Sequence, residues 1–247
     1  GFGNVGSAFA RIAVPRGAKM VAVNDRDGTI YAPNGIDPED LQRDADALGL
    51  VLPPTAMEHL LAYLALLRKW NVAYNLTAVR DPAQMRVQHL ADCLAAVGPL
   101  RRQVGTERQL RILDVGSGGG LPGVVLAIVE PAWDVSCIDT VGKKAAFIRQ
   151  VAGELTLPNL HAVHARVESL AGSPFDVITA RAFASLHDLV RLTRPLLAPG
   201  GLWMAMKGRR PDDEIAALPA DIDVFHVEPL GVPGLHAERC LIWMRPR

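Results

Sequence analysis

The sequence predicts an α/β protein with a mostly parallel, doubly wound seven-stranded sheet, an antiparallel hairpin at one edge and a helical cap before the sheet. Three observations carry this. Up to about residue 105 the apolar residues recur at helical spacing; after Arg108 short β-branched runs alternate with helical segments; and the last two runs have no helix-length segment between them.

In the cap, Met57, Leu60, Leu61, Leu64, Leu67 and Trp70 repeat at three- and four-residue intervals, which is a one-faced helix from Thr55 to Trp70. Asp81-Pro82 opens a second helix with proline at its first position. Its pattern runs through Met85, Leu90, Leu94 and Val97 to Gly98-Pro99, read as a stop. Strands follow near 110–115, 134–139, 160–164, 175–180, 201–206, 223–229 and 239–245, with helices near 121–130, 142–154, 186–197 and 211–218. Only Pro229-Leu-Gly-Val-Pro-Gly234 joins the last two strands, so they are expected to pair antiparallel.

Composition bounds the partners. Lys plus Arg and Asp plus Glu both number 26, so no global field attracts nucleic acid or membrane, and any basic surface must be local. Cys93, Cys137 and Cys240 are far apart, lack metal-type spacing and lie in apolar runs; they are expected to be free core thiols, with no metal bound. No apolar run approaches the roughly 18 residues of a membrane helix and no signal segment leads the chain, so a cytoplasmic monomer is expected.

Two glycine fingerprints compete for the function. Gly1-Phe-Gly-Asn-Val-Gly6, with Asp25 placed 19 residues after Gly6, has the dinucleotide spacing, and Gly1 to Pro38 resembles the cofactor domain of glutamate dehydrogenases. That fingerprint needs a strand to deliver the chain into the turn, and here the chain opens on the first glycine. Residues 1–40 are therefore expected to be a dehydrogenase-like remnant rather than an NAD site, residues 41–105 a cap, and residues 106–247 the catalytic domain. An NAD-dependent oxidoreductase fragment is the competing reading.

The second fingerprint, Arg111-Ile-Leu-Asp-Val-Gly-Ser-Gly-Gly-Gly120, has its strand, and Pro122 opens the helix after it. No Gly-Lys-Ser/Thr follows, which excludes a P-loop. Asp139 ends the next strand 23 residues after Gly116, where it can accept from both ribose hydroxyls, and Val167-Glu168 follows the third strand, where an adenine edge would lie. Gly116, Gly118, Asp139, Val167 and Glu168 together favour S-adenosylmethionine, and five parallel strands closed by a hairpin is the Rossmann-like shape of a class I methyltransferase. Asp139 also suits a helix N-terminus, and Glu168 a solvated loop.

For the acceptor, the corner after the fourth strand is decisive. Exocyclic-amine methylation needs an Asn/Asp-Pro-Pro-aromatic corner there and pyrimidine C5 methylation a nucleophilic cysteine, whereas this chain has Thr179-Ala-Arg-Ala-Phe183. Guanine N7 offers a lone pair and loses no proton, so it requires no base. Phe183 is a candidate for stacking on the base and Arg181 for holding the donor or orienting the base, each with a bland alternative as core packing or an ion pair. His89 reads as a structural histidine.

Leu67-Arg-Lys-Trp-Asn-Val-Ala-Tyr-Asn-Leu-Thr77, Val79-Arg-Asp-Pro82, His89-Leu-Ala-Asp92, Asp114-Val-Gly-Ser-Gly-Gly-Gly-Leu-Pro-Gly123, Ala180-Arg-Ala-Phe-Ala-Ser185 and Met206-Lys-Gly208, in order, resemble the RsmG (GidB) family. The resemblance implies methylation of guanine N7 in 16S, small-subunit ribosomal RNA, on naked RNA or the 30S particle, with donor contacts at Gly116, Leu121, Val167, Glu168 and Arg181. Gly119 departs from the family, where proline or alanine is frequent, and is expected to loosen the turn. RNA contacts are expected from Lys69, Lys143, Lys207, Arg209 and Arg239 and their basic neighbours. The remaining alternative is an RNA-binding assembly factor that keeps the fold without catalysis.

Overall fold

The computed structural model describes residues 22–25, 28–31, 37–105 and 109–247. Strands β1 (Ala22–Asp25) and β2 (Gly28–Tyr31) form a separate two-stranded antiparallel sheet. The fingerprint Gly1 to Gly6 lies outside the described residues.

The cap contains a helix the periodicity did not reveal. Helix α1 (Pro38–Ala47) starts at Asp37, whose side chain accepts from the Glu39 amide at 2.9 Å, with Pro38 in the first turn. This is the same Asp-Pro signal that opens the helix at Asp81-Pro82. Helix α1 straddles the boundary expected between residues 40 and 41 and buries Leu41 and Ala45 in the core of the cap. Helix α2 (Pro54–Tyr74) runs a turn beyond Trp70 and stops where Asn75 adopts a left-handed conformation, φ 48°. Ala65 and Leu66 are buried as well as Met57, Leu60, Leu64 and Leu67 of the expected face, so α2 is covered on more than one side, and α1 is among the elements packed on it.

The second cap helix is not regular. It comprises an α turn (α3, Pro82–Met85), a π-helical stretch Arg86–Ala91 and a further α turn (α4, Asp92–Leu94). Gly98-Pro99 does not end the helical region: helix α5 (Val97–Val104) starts just before it. A first-turn proline lacks only an N–H that would have had no intrahelical partner.

Seven strands follow in the spatial order β5-β4-β3-β6-β7-β9-β8: β3 (Arg111–Val115), β4 (Asp134–Asp139), β5 (Leu160–His164), β6 (Phe175–Arg181), β7 (Leu197–Lys207), β8 (Ile222–Pro229) and β9 (Cys240–Pro246). Strand β9 is antiparallel to both β7 and β8; the other pairings are parallel. Alternate residues enter two cores, as a sheet covered on both faces requires. Ile112, Val177, Met204 and Trp243 face α2, α6 (Gly123–Val129) and α7 (Gly142–Glu154), while Leu113, Ile178, Trp203 and Ile242 face α8 (Leu186–Thr193) and α9 (Asp212–Ala216). All seven expected strands are present; β7 starts four residues earlier than read, the helices expected at 121–130 and 211–218 are shorter, and the last turn of the one at 186–197 is a 3-10 turn. Among the described residues no helix is long and apolar enough to cross a membrane.

Candidate active site

The site lies at the carboxyl edge of the sheet, where β3 runs into the glycine loop. Gly116, Gly118 and Gly120 have φ of 67°, 59° and 92°, a region L side chains rarely adopt. Gly116 and Ser117 donate to the carbonyl of Ile138 at 2.9 and 3.2 Å, which ties the loop to β4. At the end of β4, Asp139 accepts from the Gly118 amide at 3.0 Å through Oδ2 and from the Val141 amide at 2.8 Å through Oδ1, with Lys144 Nζ 3.5 Å away. Asp139 thus braces the loop and the turn into α7 at once, and its Oδ1 keeps a lone pair for a further hydrogen bond.

Below the loop is a row of buried polar atoms lacking protein partners. Asp114 and Thr179 are opposite one another across the β3–β6 pairing and both are fully buried. Asp114 Oδ2 accepts from the Gly123 amide at 2.9 Å, whereas Asp114 Oδ1, Thr179 Oγ1 and the neighbouring Ser117 Oγ have no hydrogen-bond partner among the described residues. Burial pushes the Asp114 carboxyl up to about 7, against the Gly123 hydrogen bond and the Arg181 charge, which lower it. Buried polar groups normally find partners. Three orphans beside a loop stripped of side chains fit a polar ligand carrying an amino-acid group, as S-adenosylmethionine does.

The cap reaches this loop directly. Tyr63 on α2, fully buried, donates from its hydroxyl to the Gly119 carbonyl at 2.6 Å, and a Cβ on Gly119 would lie 3.0 Å from Leu67 Cδ1. The turn expected to be loosened at Gly119 is held by the tyrosine. Burial raises the Tyr63 phenol well above its ordinary value, so it remains a neutral donor.

At the end of β6, Arg181 Nη1 donates to the Gln88 carbonyl at 2.9 Å and to Asp92 Oδ2 at 3.0 Å. Both acceptors belong to the cap, Gln88 within the π-helical stretch, a deformation that recurs where a helix serves a site. Phe183 packs on the second core and lies against the loop: a Cβ on Gly116 would be 2.8 Å from its ring. Leu121 and Val167 are buried at the loop and after β5, whereas the Glu168 side chain is substantially exposed, 3.9 Å from Arg166.

The structure separates the basic candidates. Lys69, Lys143 and Arg209 form no ion pair among the described residues. Lys207 is bound to Glu214 at 2.8 Å, and Arg239 Nε donates to Asp92 at 2.8 Å. Arg101, Arg102 and Arg210 are likewise paired, with Glu130, Glu228 and Asp212. His89 donates to or accepts from Thr77 Oγ1 at 2.8 Å, and burial with the nearby Arg181 charge lowers its pKa to about 4, so it is a neutral buried strut. Asn71 holds the following loop, accepting from the Thr77 amide at 2.8 Å and donating to the Val79 carbonyl at 3.3 Å. The three cysteines are free and buried, and among the described residues no group of His, Cys, Asp and Glu could hold a metal. Tyr63 carries no mark in the sequence, whereas Asp92 and Thr179 stand in the segments His89-Leu-Ala-Asp92 and Thr179-Ala-Arg-Ala-Phe183 without being assigned these positions in the site.

The model of the GidB family, described as rRNA small subunit methyltransferase G, matches residues 56–242. The chain belongs to this family. The ribosomal RNA small subunit methyltransferase G of Leptothrix cholodnii is 64% identical over 211 residues, 85% of this chain and 96% of that protein. Its counterpart in Acidovorax sp. is 62% identical over 213 residues, 83% of this chain and 94% of the relative. Among solved structures, MtNAS in complex with MTA and tNA superposes with a TM-score of 0.53 at 15% identity over 86% of this chain and 82% of that one, a likeness of fold alone. A glutamate/leucine/phenylalanine/valine dehydrogenase model matches residues 1–56, up to the start of the GidB match.

Proposed function

We propose that this GidB-family enzyme transfers a methyl group from S-adenosyl-L-methionine to N7 of a guanine in 16S ribosomal RNA. The observation that carries the donor assignment is the row of unpartnered buried atoms, Asp114 Oδ1, Ser117 Oγ and Thr179 Oγ1, under a glycine loop braced by Asp139. Bound there, S-adenosylmethionine supplies an electrophilic methyl group on a sulfonium. Asp139 would hold the ribose, Val167 and Glu168 the adenine, Gly116, Gly118 and Leu121 the close approach of the loop, and Arg181 the donor's carboxylate.

The acceptor assignment rests on chemistry the site does not offer. Cys93 lies close enough to Arg181 to feel its charge, yet burial raises the thiol well above its ordinary value, so it is not the thiolate that C5 methylation needs. His89, where the cap meets the sheet, is buried and bound to Thr77. N7 attacks with its own lone pair and releases no proton, so rate enhancement comes from alignment of nitrogen, methyl carbon and sulfur. Phe183 would stack on the purine and Lys69, Lys143 and Arg209 would neutralise phosphates, with Lys207 and Arg239 nearer the acceptor. Residues 1–40, the dehydrogenase-like remnant, take no part in this chemistry, and the enzyme acts as a cytoplasmic monomer.

The test is tritium transfer from labelled donor to 30S particles and to naked 16S RNA, with Asp139→Ala beside the parent, followed by borohydride and aniline cleavage, which breaks the chain at 7-methylguanosine. Label at one cleavable guanosine, lost in Asp139→Ala, is the expected result. Label on an exocyclic amine or a pyrimidine would refute the N7 assignment, and undiminished transfer by Asp139→Ala would refute the donor pocket.

A further inference from the structure

Asp92 is 2% exposed and sits between two arginines that are distant in sequence. Its Oδ2 accepts from Arg181 Nη1 at 3.0 Å and its Oδ1 from Arg239 Nε at 2.8 Å. The three come from the cap, the end of β6 and the segment entering β9, and the sheet register explains why they meet. Arg181 pairs with Met206 on β7 and Met206 with Leu241 on β9, so Arg181 and Arg239, two residues before Leu241, reach the carboxyl edge on the same face of the sheet, whereas Lys207 alternates to the other face. Lys207 is neutralised by Glu214, which it reaches at 2.8 and 2.9 Å. The remaining two cations share one anion, which leaves one net positive charge in a mostly buried cluster.

Each arginine is only partly used by this arrangement. The protein contacts of Arg181 among the described residues all go through Nη1, to Asp92 and Gln88; those of Arg239 go through Nε to Asp92 and Nη1 to the Glu238 carbonyl. The Nε–Nη2 edge of Arg181 and the Nη2 group of Arg239 therefore make no protein hydrogen bond among the described residues, and guanidinium donors left over in a held side chain suit capture of a carboxylate or phosphate. An arginine on a free side chain would have to give up rotamer entropy on every binding event.

We propose that Asp92 is a positioning residue for methyl transfer, which holds the Arg181 and Arg239 guanidiniums side by side so that Arg181 meets the donor's carboxylate and Arg239 an RNA phosphate next to the acceptor base. Asp92 touches neither ligand. This rests on the proposed donor role of Arg181, and the experiment separates the two.

Donor affinity is measured by calorimetry with S-adenosylmethionine, and kcat and KM for 30S particles by tritium transfer, for Asp92→Asn, Arg181→Ala, Arg239→Ala and the double variant Asp92→Asn/Arg181→Ala, each with its Tm. Asp92→Asn keeps the shape and removes the charge; it is expected to weaken donor binding about tenfold and to raise KM for the particle by a similar factor. Arg181→Ala is expected to act on donor affinity and Arg239→Ala on KM for the particle. In the Arg181→Ala background, Asp92→Asn should change donor affinity less than about twofold. If it costs the same factor with and without Arg181, Asp92 merely docks the cap and the proposal fails. If Arg181→Ala leaves donor affinity unchanged, the donor role of Arg181 fails instead. Should Asp92→Asn not fold, Arg181→Lys decides: it keeps the charge facing Asp92 but cannot hold Gln88 and Asp92 while presenting a second edge, so donor binding should fall about tenfold, and parental affinity would overturn the proposal.

Discussion

Tyr63→Phe removes one oxygen from the join between cap and glycine loop and leaves the ring where it is. The hydroxyl it deletes is fully buried and donates to the Gly119 carbonyl at 2.6 Å, and no other side chain donates to that carbonyl among the described residues. A typical hydrogen bond contributes about 1 kcal/mol net, while a buried acceptor left without a donor costs about 1–3 kcal/mol. Phenylalanine keeps the tilted contact with Phe147, whose ring centroid is 6.3 Å away, so packing losses are small. The expected loss of stability is therefore about 2 kcal/mol. Because the loop is anchored to β4 independently through Gly116, Ser117 and Asp139, only its Gly119 end should relax, and donor affinity should fall by roughly three- to tenfold. Urea unfolding followed by circular dichroism gives the stability, and calorimetry with S-adenosylmethionine gives the affinity. The phenol's raised pKa keeps the bond intact over the working range, so both effects should be the same at about pH 6 and about pH 9. A stability within about 0.3 kcal/mol of the parent together with unchanged donor affinity would refute the claim that the cap holds the loop, since this substitution does nothing else.

Other perturbations read different parts of the structure. Gly123→Ala would set a Cβ 2.3 Å from Cys137 Sγ and 2.9 Å from Asp114 Oδ2, all in the core, so a loss of about 3 kcal/mol or more in urea midpoint analysis is expected. Two buried groups should oppose each other in acid. His89, held near pKa 4 in the fold against its ordinary 6.5, refuses a proton the unfolded chain takes, so its neutral form adds stability above pH 6.5 that is lost as pH falls toward 4. Asp114, raised from 3.8 to about 7, is the reverse: the fold binds a proton the unfolded chain has released, so its contribution falls as pH rises from about 4 to 7. Asp114→Asn should unmask the histidine, and its stability should drop by about 3 kcal/mol between about pH 6.5 and 4, while the parent changes much less; a parallel pair of pH curves would contradict this. Finally, deleting residues 1–36 should leave donor binding and transfer intact, whereas deleting through residue 47 removes Leu41 and the Asp44–Arg86 ion pair and should lower Tm by several degrees; loss of activity in the shorter deletion would restore a role to the dehydrogenase-like segment.

Much of the molecule could be read from the chain because its signals are local. The seven strands follow from short β-branched runs, the glycine loop from glycines after a strand, and Asp139 from its place at the end of the next strand, where the backbone alone brings it back to the Gly118 amide. Even helix α1 is announced by Asp37-Pro38, although Leu41 is its only large apolar residue. Gly98-Pro99 misled because the same proline that stops one helix can sit in the first turn of the next, and only what packs around it decides.

The glycine loop, its strand and its acid were determined by sequence, since each acts within a few residues or one βαβ unit of its partner. Which basic residues lack an ion pair among the described residues was not: Lys69, Lys143 and Arg209 look no different in sequence from Lys207 and Arg239, which the fold has paired with acids. Nor were Tyr63 and Asp92, whose partners lie 56 residues away at Gly119 and 89 and 147 away at Arg181 and Arg239. Contacts at such separations leave no periodic trace, because neither residue's neighbours in the chain are the groups it serves. They come into being only when the cap closes on the carboxyl edge of the sheet, and it is there that the loop is held and the arginines are aimed.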